Sequence, residues 1–298
     1  MTAYAGTFPP TAEIVGKMRY SLVAIDVDGT LLGPDHRLDG AAVDAIRQAR
    51  AAGVRTVLAT GRSYDETIDI WRRLALDGPY EPMVLVGGAL VTEPDTGRTL
   101  YQKPLPLADA CEFADALVEA GYTPMALVDK WRYGFDYLLM DAADVSAARR
   151  DWLDKTGAEV RTVSNFADVP DGPELLRVSA VAGQEDANAL ATRLGEAFRG
   201  RLNIHAILAP NYGVTAVEAF AYSASKFTAL RYVAQAWRLG PGSIASIGDD
   251  VNDLAMIRQA ALGAAMPNAP DEVVAAADVV ASDGLSGFLL DLTAGKFN

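Results

Sequence analysis

The stretch Leu22-Val-Ala-Ile-Asp26-Val-Asp28-Gly-Thr30-Leu31 decides how the rest of the chain is read. It begins with apolar residues that do not alternate with polar ones, as in a strand buried on both faces. Two carboxylates spaced i, i+2 follow, and then a glycine opens a turn. Open parallel sheets bind ligands at the carboxyl ends of their strands, where Asp26 and Asp28 fall. An unpaired buried carboxylate costs several kcal/mol, so a pair of them at one strand end needs a reason.

Far along the chain the pattern returns. Ile244-Ala-Ser-Ile-Gly248-Asp249-Asp250-Val-Asn252-Asp253 is again an apolar run stopped by glycine and a knot of acids. Two strand ends loaded with carboxylates suit a divalent cation, a hard ion that takes oxygen ligands. Asp249 and Asp253 are i, i+4, so a helix beginning near Asp250 lets them meet on one side of its first turn. Acids in a first turn are also what helix capping selects.

Between the two stretches, Asp39 caps a helix that closes at Gly53, Val54 to Thr60 forms a second strand, and Ser63-Tyr-Asp-Glu66 fits a capping box. This alternation predicts a doubly wound parallel sheet with right-handed crossovers. Pro82 to Val86 gives a third strand, and Thr92 to Gly97 the turn of a hairpin. Thr60 reads in two ways: its hydroxyl satisfies a turn, or with the Gly61 amide it holds phosphate oxygens at a helix start. Lys226, in the first turn of a helix from about Ser225, runs against the helix dipole, and broken local rules mark sites. An exposed lysine is the alternative.

From Lys103 to Tyr212 the pattern changes. Helices from about Leu107 to Ala120 and from Gln184 to Phe198 are flanked by strand-like runs at 123–128, 174–181 and 202–208, which make a compact inserted α+β module. Within it, Asp129 to Tyr137 gathers charges and four aromatics, either as a turn beside ordinary strands or as a specificity element.

Asp26-Val-Asp28-Gly-Thr30, Thr60-Gly61-Arg62, Ser225-Lys226-Phe227 and Gly248-Asp249-Asp250-Val-Asn252-Asp253 stand in the order and spacing of the four motifs of haloacid dehalogenase-like phosphatases. From about Met18 the chain resembles their Cof-type sugar-phosphatase branch. The resemblance implies a Rossmann-like α/β core over 18–102 and 213–298, an α+β cap over 103–212, and an N-terminal extension over 1–17. It further implies Mg2+ on Asp26, the main-chain carbonyl of Asp28, and Asp249. Asp26 would be the nucleophile and Asp28 the acid–base group, with Thr60, Gly61 and Lys226 on phosphoryl oxygens.

Asn252 resembles the amide that contacts phosphate or braces the nucleophile, and Thr30 the residue that fixes the loop. Asp250 or Asp253 would support the ion or orient Lys226, and the sequence leaves the choice open. The implied activity is hydrolysis of a small phosphate monoester through an aspartyl-phosphate, with cap closure on the ligand; a phosphomutase or a non-catalytic phosphosugar sensor are the alternatives. Two positions depart from the branch's usual pattern: Gly87 stands where asparagine is common, and Pro267 where glycine is.

The 298 residues are 50% hydrophobic and carry a net charge of −13, with a pI near 4.6. Such a balance opposes nucleic-acid and anionic-membrane binding, while a small anionic substrate held by direct contacts is compatible with it. Cys111 alone makes no disulfide, and His36 and His205 are too isolated for a ligand cluster. No apolar run approaches the about 20 residues of a membrane span. The first residues lack the basic and apolar segments of a secretory signal, so a cytoplasmic location is expected. Oligomeric state is not legible.

Overall fold

The computed structural model describes residues 18–33, 36–76, 81–140, 157–169, 172–209 and 214–297. The expected extension over 1–17 lies outside them. Two compact units emerge: residues up to Tyr101 together with those from Ser225 onward, and Gln102–Ala224.

In chain order the first unit begins with β1 (Leu22–Ile25), α1 (Gly40–Ala51), β2 (Arg55–Leu58), α2 (Tyr64–Leu74), β3 (Met83–Leu85), β4 (Leu90–Thr92) and β5 (Thr99–Gln102). The second unit then contains α3 (Leu107–Glu119), β6 (Met125–Val128), α4 (Lys130–Tyr133), β7 (Tyr137–Met140), β8 (Val160–Val163), β9 (Leu175–Ala182), α5 (Gln184–Ala197), β10 (Leu202–Ala209) and β11 (Val214–Ala221). The chain completes the first unit with α6 (Lys226–Ala236), β12 (Ile244–Gly248), α7 (Leu254–Gln259), β13 (Leu262–Ala265), α8 (Asp271–Val274), β14 (Val279–Val280) and α9 (Gly284–Thr293).

The first unit is built on a parallel sheet in the order β14-β13-β12-β1-β2. The interior strand β1, between β12 and β2, explains why the opening run does not alternate. Val23 and Ile25 pack with Ile46 of α1, Ile70 of α2, and Phe288 and Leu289 of α9. Leu22 and Ala24 pack on the other side, with Phe227, Leu230 and Val233 of α6 and Met256 of α7. Helices on both faces bury every position, as a doubly wound α/β fold requires. Local signals place the helices: the Asp39 carboxylate accepts from the amide of Ala41, and Glu66 accepts from the amide of Ser63.

The second unit is a six-stranded sheet, β10-β11-β9-β6-β7-β8, with antiparallel neighbours except for the parallel pair β7 and β8. Phe113 and Leu117 of α3, with Leu190 and Leu194 of α5, bury one face of it against Ala126, Val178 and Val217. The sequence places the return to the core at 213, but β11 pairs with β9 and β10 inside the second unit, and the core resumes at Ser225. Every residue of β11 is buried, so its run reads like a core strand, and only its partners distinguish the two sheets.

Candidate active site

Three neighbouring strands of the parallel sheet, β1, β2 and β12, deliver the site residues. At the carboxyl end of β1 the amide of Asp26 donates to Ile247 O of β12 (3.1 Å), while the amide of Ala59, after β2, donates to Ile25 O (2.9 Å). The ends of β1, β2 and β12 are therefore held side by side by backbone hydrogen bonds. Asp26 and Asp28, Thr60 to Arg62, and Asp249 to Asp253 leave from those ends.

Lys226 is the first residue of α6, whose N-cap Ser225 accepts from the amide of Thr228. It is 1% exposed. Its ammonium donates to Asp26 Oδ1 (2.6 Å), Asp253 Oδ1 (2.6 Å) and Asn252 Oδ1 (3.3 Å). Three acceptors at a helix start explain why a lysine tolerates the unfavourable end of the dipole. The exposed-lysine alternative is thereby removed. Burial by itself would push the Lys226 ammonium down, but Asp253 and Asp26 outweigh it and hold the group charged.

Asp253 divides its carboxylate between two tasks. One oxygen accepts from Lys226, and the other from the amides of Asp249 (3.0 Å) and Asp250 (3.2 Å). Asp250 caps the short turn that follows, its carboxylate accepting from the amide of Val251 (2.7 Å). So the geometry separates two acids that the sequence left equivalent: Asp253 touches Lys226, and Asp250 serves the backbone. Gly248 makes room for this, since a β-carbon there would overlap the Asp253 carboxylate.

Asp249 accepts from the Thr30 hydroxyl (3.1 Å). Gly29 lies beneath it at φ +84°, and a β-carbon at that position would overlap the Asp249 carboxylate. Carboxylate oxygens of Asp26, Asp249 and Asp253 come within 4.8 Å of one another. The crowding has an electrostatic signature. Burial first, then Asp253, push the Asp249 carboxyl up to about 6. Burial, Asp253 and Asp249 also hold Asp26 well above the usual carboxylate range, against the opposing pull of Lys226. One ammonium does not neutralise three acids.

Asp28 faces a different partner, one that sequence reasoning quoted without assigning a role. Arg62 forks it, Nε to Oδ2 at 2.7 Å and Nη2 to Oδ1 at 2.5 Å. Arg62 is further anchored by Nη1 on Glu66 O (3.2 Å), and its amide donates to the Thr60 hydroxyl oxygen (3.2 Å). The signal was available: an arginine directly after a strand-end Thr-Gly, in a chain this acidic, sits where a carboxylate awaits it. Thr60 is buried, and a β-carbon at Gly61 would meet nothing within 4 Å. All ten expected site residues thus lie at the carboxyl end of the sheet. Asp26, Thr30, Lys226, Asp249, Asn252 and Asp253 are directly hydrogen-bonded to one another, and Asp28 and Thr60 are linked through Arg62.

In the second unit, the Asp129–Tyr137 segment forms the one-turn α4 and the start of β7. Phe135 and Tyr137 are buried there, while Trp131 is exposed. Among the described residues no helix is long and apolar enough to cross a membrane.

The haloacid dehalogenase-like hydrolase family matches residues 23–284. The provisionally named phosphatase YxeH of Bacillus subtilis is 29% identical over 261 residues, 87% of this chain and 92% of its own. The pyridoxal phosphate phosphatase YbhA of Escherichia coli is 25% identical over 272 residues, 89% of this chain and 94% of its own. Among solved structures, the subclass IIB sugar phosphatase BT4131 superposes with a TM-score of 0.70 at 20% identity, covering 91% of this chain and 98% of its own.

Proposed function

The chain belongs to the haloacid dehalogenase-like hydrolases, as a phosphatase among them, and from that premise we propose that it hydrolyses small-molecule phosphate monoesters through an aspartyl-phosphate on Asp26. The observation that carries this reading is the buried ammonium of Lys226 between Asp26 and Asp253, 2.6 Å from each, with Asp249 alongside. A nucleophile that must approach a phosphate dianion needs its own charge offset first, and Lys226 does this for Asp26.

The donor set fits Mg2+. It offers only oxygen donors, carboxylates foremost, which suit a hard cation. The pKa values of Asp26 and Asp249 are both raised where a cation would lower them. Both oxygens of Asp253 are engaged, so Asp26, Asp249 and the main-chain carbonyl of Asp28 would hold the ion. When bound, it would neutralise phosphoryl charge and align the ester with Asp26.

Asp26 then attacks phosphorus, and Asp28 gives a proton to the leaving alkoxide. Asp28 afterwards takes a proton from the water that opens the aspartyl-phosphate, the same group working in both directions. Lys226, Thr60 and the Gly61 amide bind phosphoryl oxygens, Asp253 holds Lys226 in place, and Asn252 shares its ammonium. Covalent catalysis of this kind splits one very slow hydrolysis into two easier steps. A sugar phosphate or a cofactor phosphate is the substrate class, in keeping with what YbhA and BT4131 are named for.

The test is phosphate release from a panel of phosphorylated sugars and cofactors, with and without Mg2+, for the natural chain and Asp26→Asn. Release that requires both Mg2+ and Asp26, with an acid-stable phosphoprotein trapped by quenching, is expected. Release that survives Asp26→Asn overturns the assignment.

A further inference from the structure

Val86 stands out among the described residues of the first unit. It is β-branched, fully buried and at φ +53°, a conformation that β-branched residues avoid. Such an outlier is strained and persists only where the surroundings impose it. Those surroundings are two parts of the candidate site. On one side the amide of Val86 donates to Arg62 O (3.0 Å), the amide of Gly87 to Thr60 O (3.0 Å), and Val84 O accepts from the amide of Thr60 (2.9 Å). On the other side Gly88, at φ +94°, lies so close to the N-cap of α6 that a β-carbon would overlap Ser225 O and the amide of Lys226.

We propose that the Val86–Gly88 turn is a shared positioning element, fixing Arg62, and through it Asp28, on one flank and Lys226 on the other. The proposal rests on the reading of Asp28 as acid–base group and Lys226 as phosphate ligand. The two flanks are separable chemically. Loss of Asp28 placement harms esters with poor leaving groups, which need a proton, far more than p-nitrophenyl phosphate, which does not. Loss of Lys226 placement weakens the hold on phosphate whatever the leaving group is.

Two substitutions address the flanks in turn. Val86→Pro removes the N–H that reaches Arg62 and forbids a positive φ. It is expected to lower kcat on an alkyl phosphate at least about tenfold more than on p-nitrophenyl phosphate, any weaker phosphate binding through the neighbouring Thr60 affecting both esters alike. Gly88→Ala drives a methyl group into the N-cap of α6. It should weaken inhibition by inorganic phosphate about tenfold, roughly one hydrogen bond to a charged group, with the ratio between the two esters unchanged.

Val86→Gly keeps the N–H and adopts φ +53° without strain, at the cost of a buried side chain, so whatever its Tm it should retain the ester ratio that Val86→Pro loses. Folding of each variant is checked by circular dichroism, and Gly88→Ala, which keeps every hydrogen bond donor, decides the Lys226 flank if the proline variant does not accumulate. Folded variants that lose activity equally on both esters, with phosphate inhibition unchanged, overturn the proposal. Asp28→Asn run in parallel separates this failure from that of the functional reading, because an Asp28→Asn chain with no ester preference sinks the reading itself.

Discussion

Asp26 and Asp28 leave the same strand two residues apart, yet the side chain of Asp26 is 6% exposed against a lysine and that of Asp28 is 38% exposed against an arginine. The first is surrounded by further acids that oppose its ionisation. The second is gripped by a planar fork that fixes its orientation while leaving an edge open to solvent. Identical side chains thus receive different surroundings from their neighbours. A buried carboxylate shielded from water is suited to bond formation at phosphorus, and a half-open one to moving protons.

The hardest blow to this contrast is Asp26→Asn. Turnover is expected to fall about 10⁴-fold or more, as when a nucleophile is removed. Thermal stability without metal at neutral pH should not fall, since the change removes an acid from a crowded site. A thermal shift beside a phosphate-release assay measures both. Asp28→Asn comes next, with a loss of about 10²–10⁴-fold on alkyl phosphates and a much smaller one on p-nitrophenyl phosphate. Equal losses for both esters would erase the distinction between the two acids.

A third prediction sharpens the buried side. The folded-state pKa of Asp249 is raised to about 6 from a reference of 3.8. The folded chain therefore binds more protons than the unfolded one across that interval, and metal-free stability declines as pH rises through it. A divalent cation reverses the penalty by binding the ionised form. The Tm gain on adding Mg2+ should accordingly be larger at about pH 7.5 than at about pH 5; calorimetric scans at both values, with and without EDTA, would show it.

The smallest effect separates the paired acids of the fourth motif. Asp250→Ala removes a cap and should cost about 1 kcal/mol of stability with turnover largely kept. Asp253→Asn weakens the hold on Lys226, and its loss should register in phosphate affinity. The reverse pattern, with Asp250 needed for affinity and Asp253 not, would exchange their roles.

Much of the core could be read from residues alone because its signals are local and agree with one another. The unalternating run at β1, the Asp39 and Ser63 caps and the glycines beside the acids each point to a parallel sheet with its site at the strand ends. What stayed hidden depends on partners distant in sequence. β11 is as apolar as a core strand, so only its pairing with β9 and β10 assigns it to the second sheet. The grip of Arg62 on Asp28 spans 34 residues, and the pressure of the Val86–Gly88 turn on the N-cap of α6 joins segments that lie on either side of the whole inserted unit. Asp250 and Asp253 have the same chemistry and similar spacing, and only hydrogen bonding told them apart.

The position of β1 between β2 and β12 also sets a timetable. Leu22 is paired with Arg55 on one side and with Ile244 on the other. At a synthesis rate of about 5–20 residues per second, the second neighbour emerges roughly 10–45 s after the first strand. Until then the nascent first unit carries an open, apolar edge while the Gln102–Ala224 unit is being made. At four residues, β1 exposes few backbone groups for another chain to pair with. Brevity in the strand that leads to Asp26 is thus a safeguard during birth as well as a detail of the finished sheet.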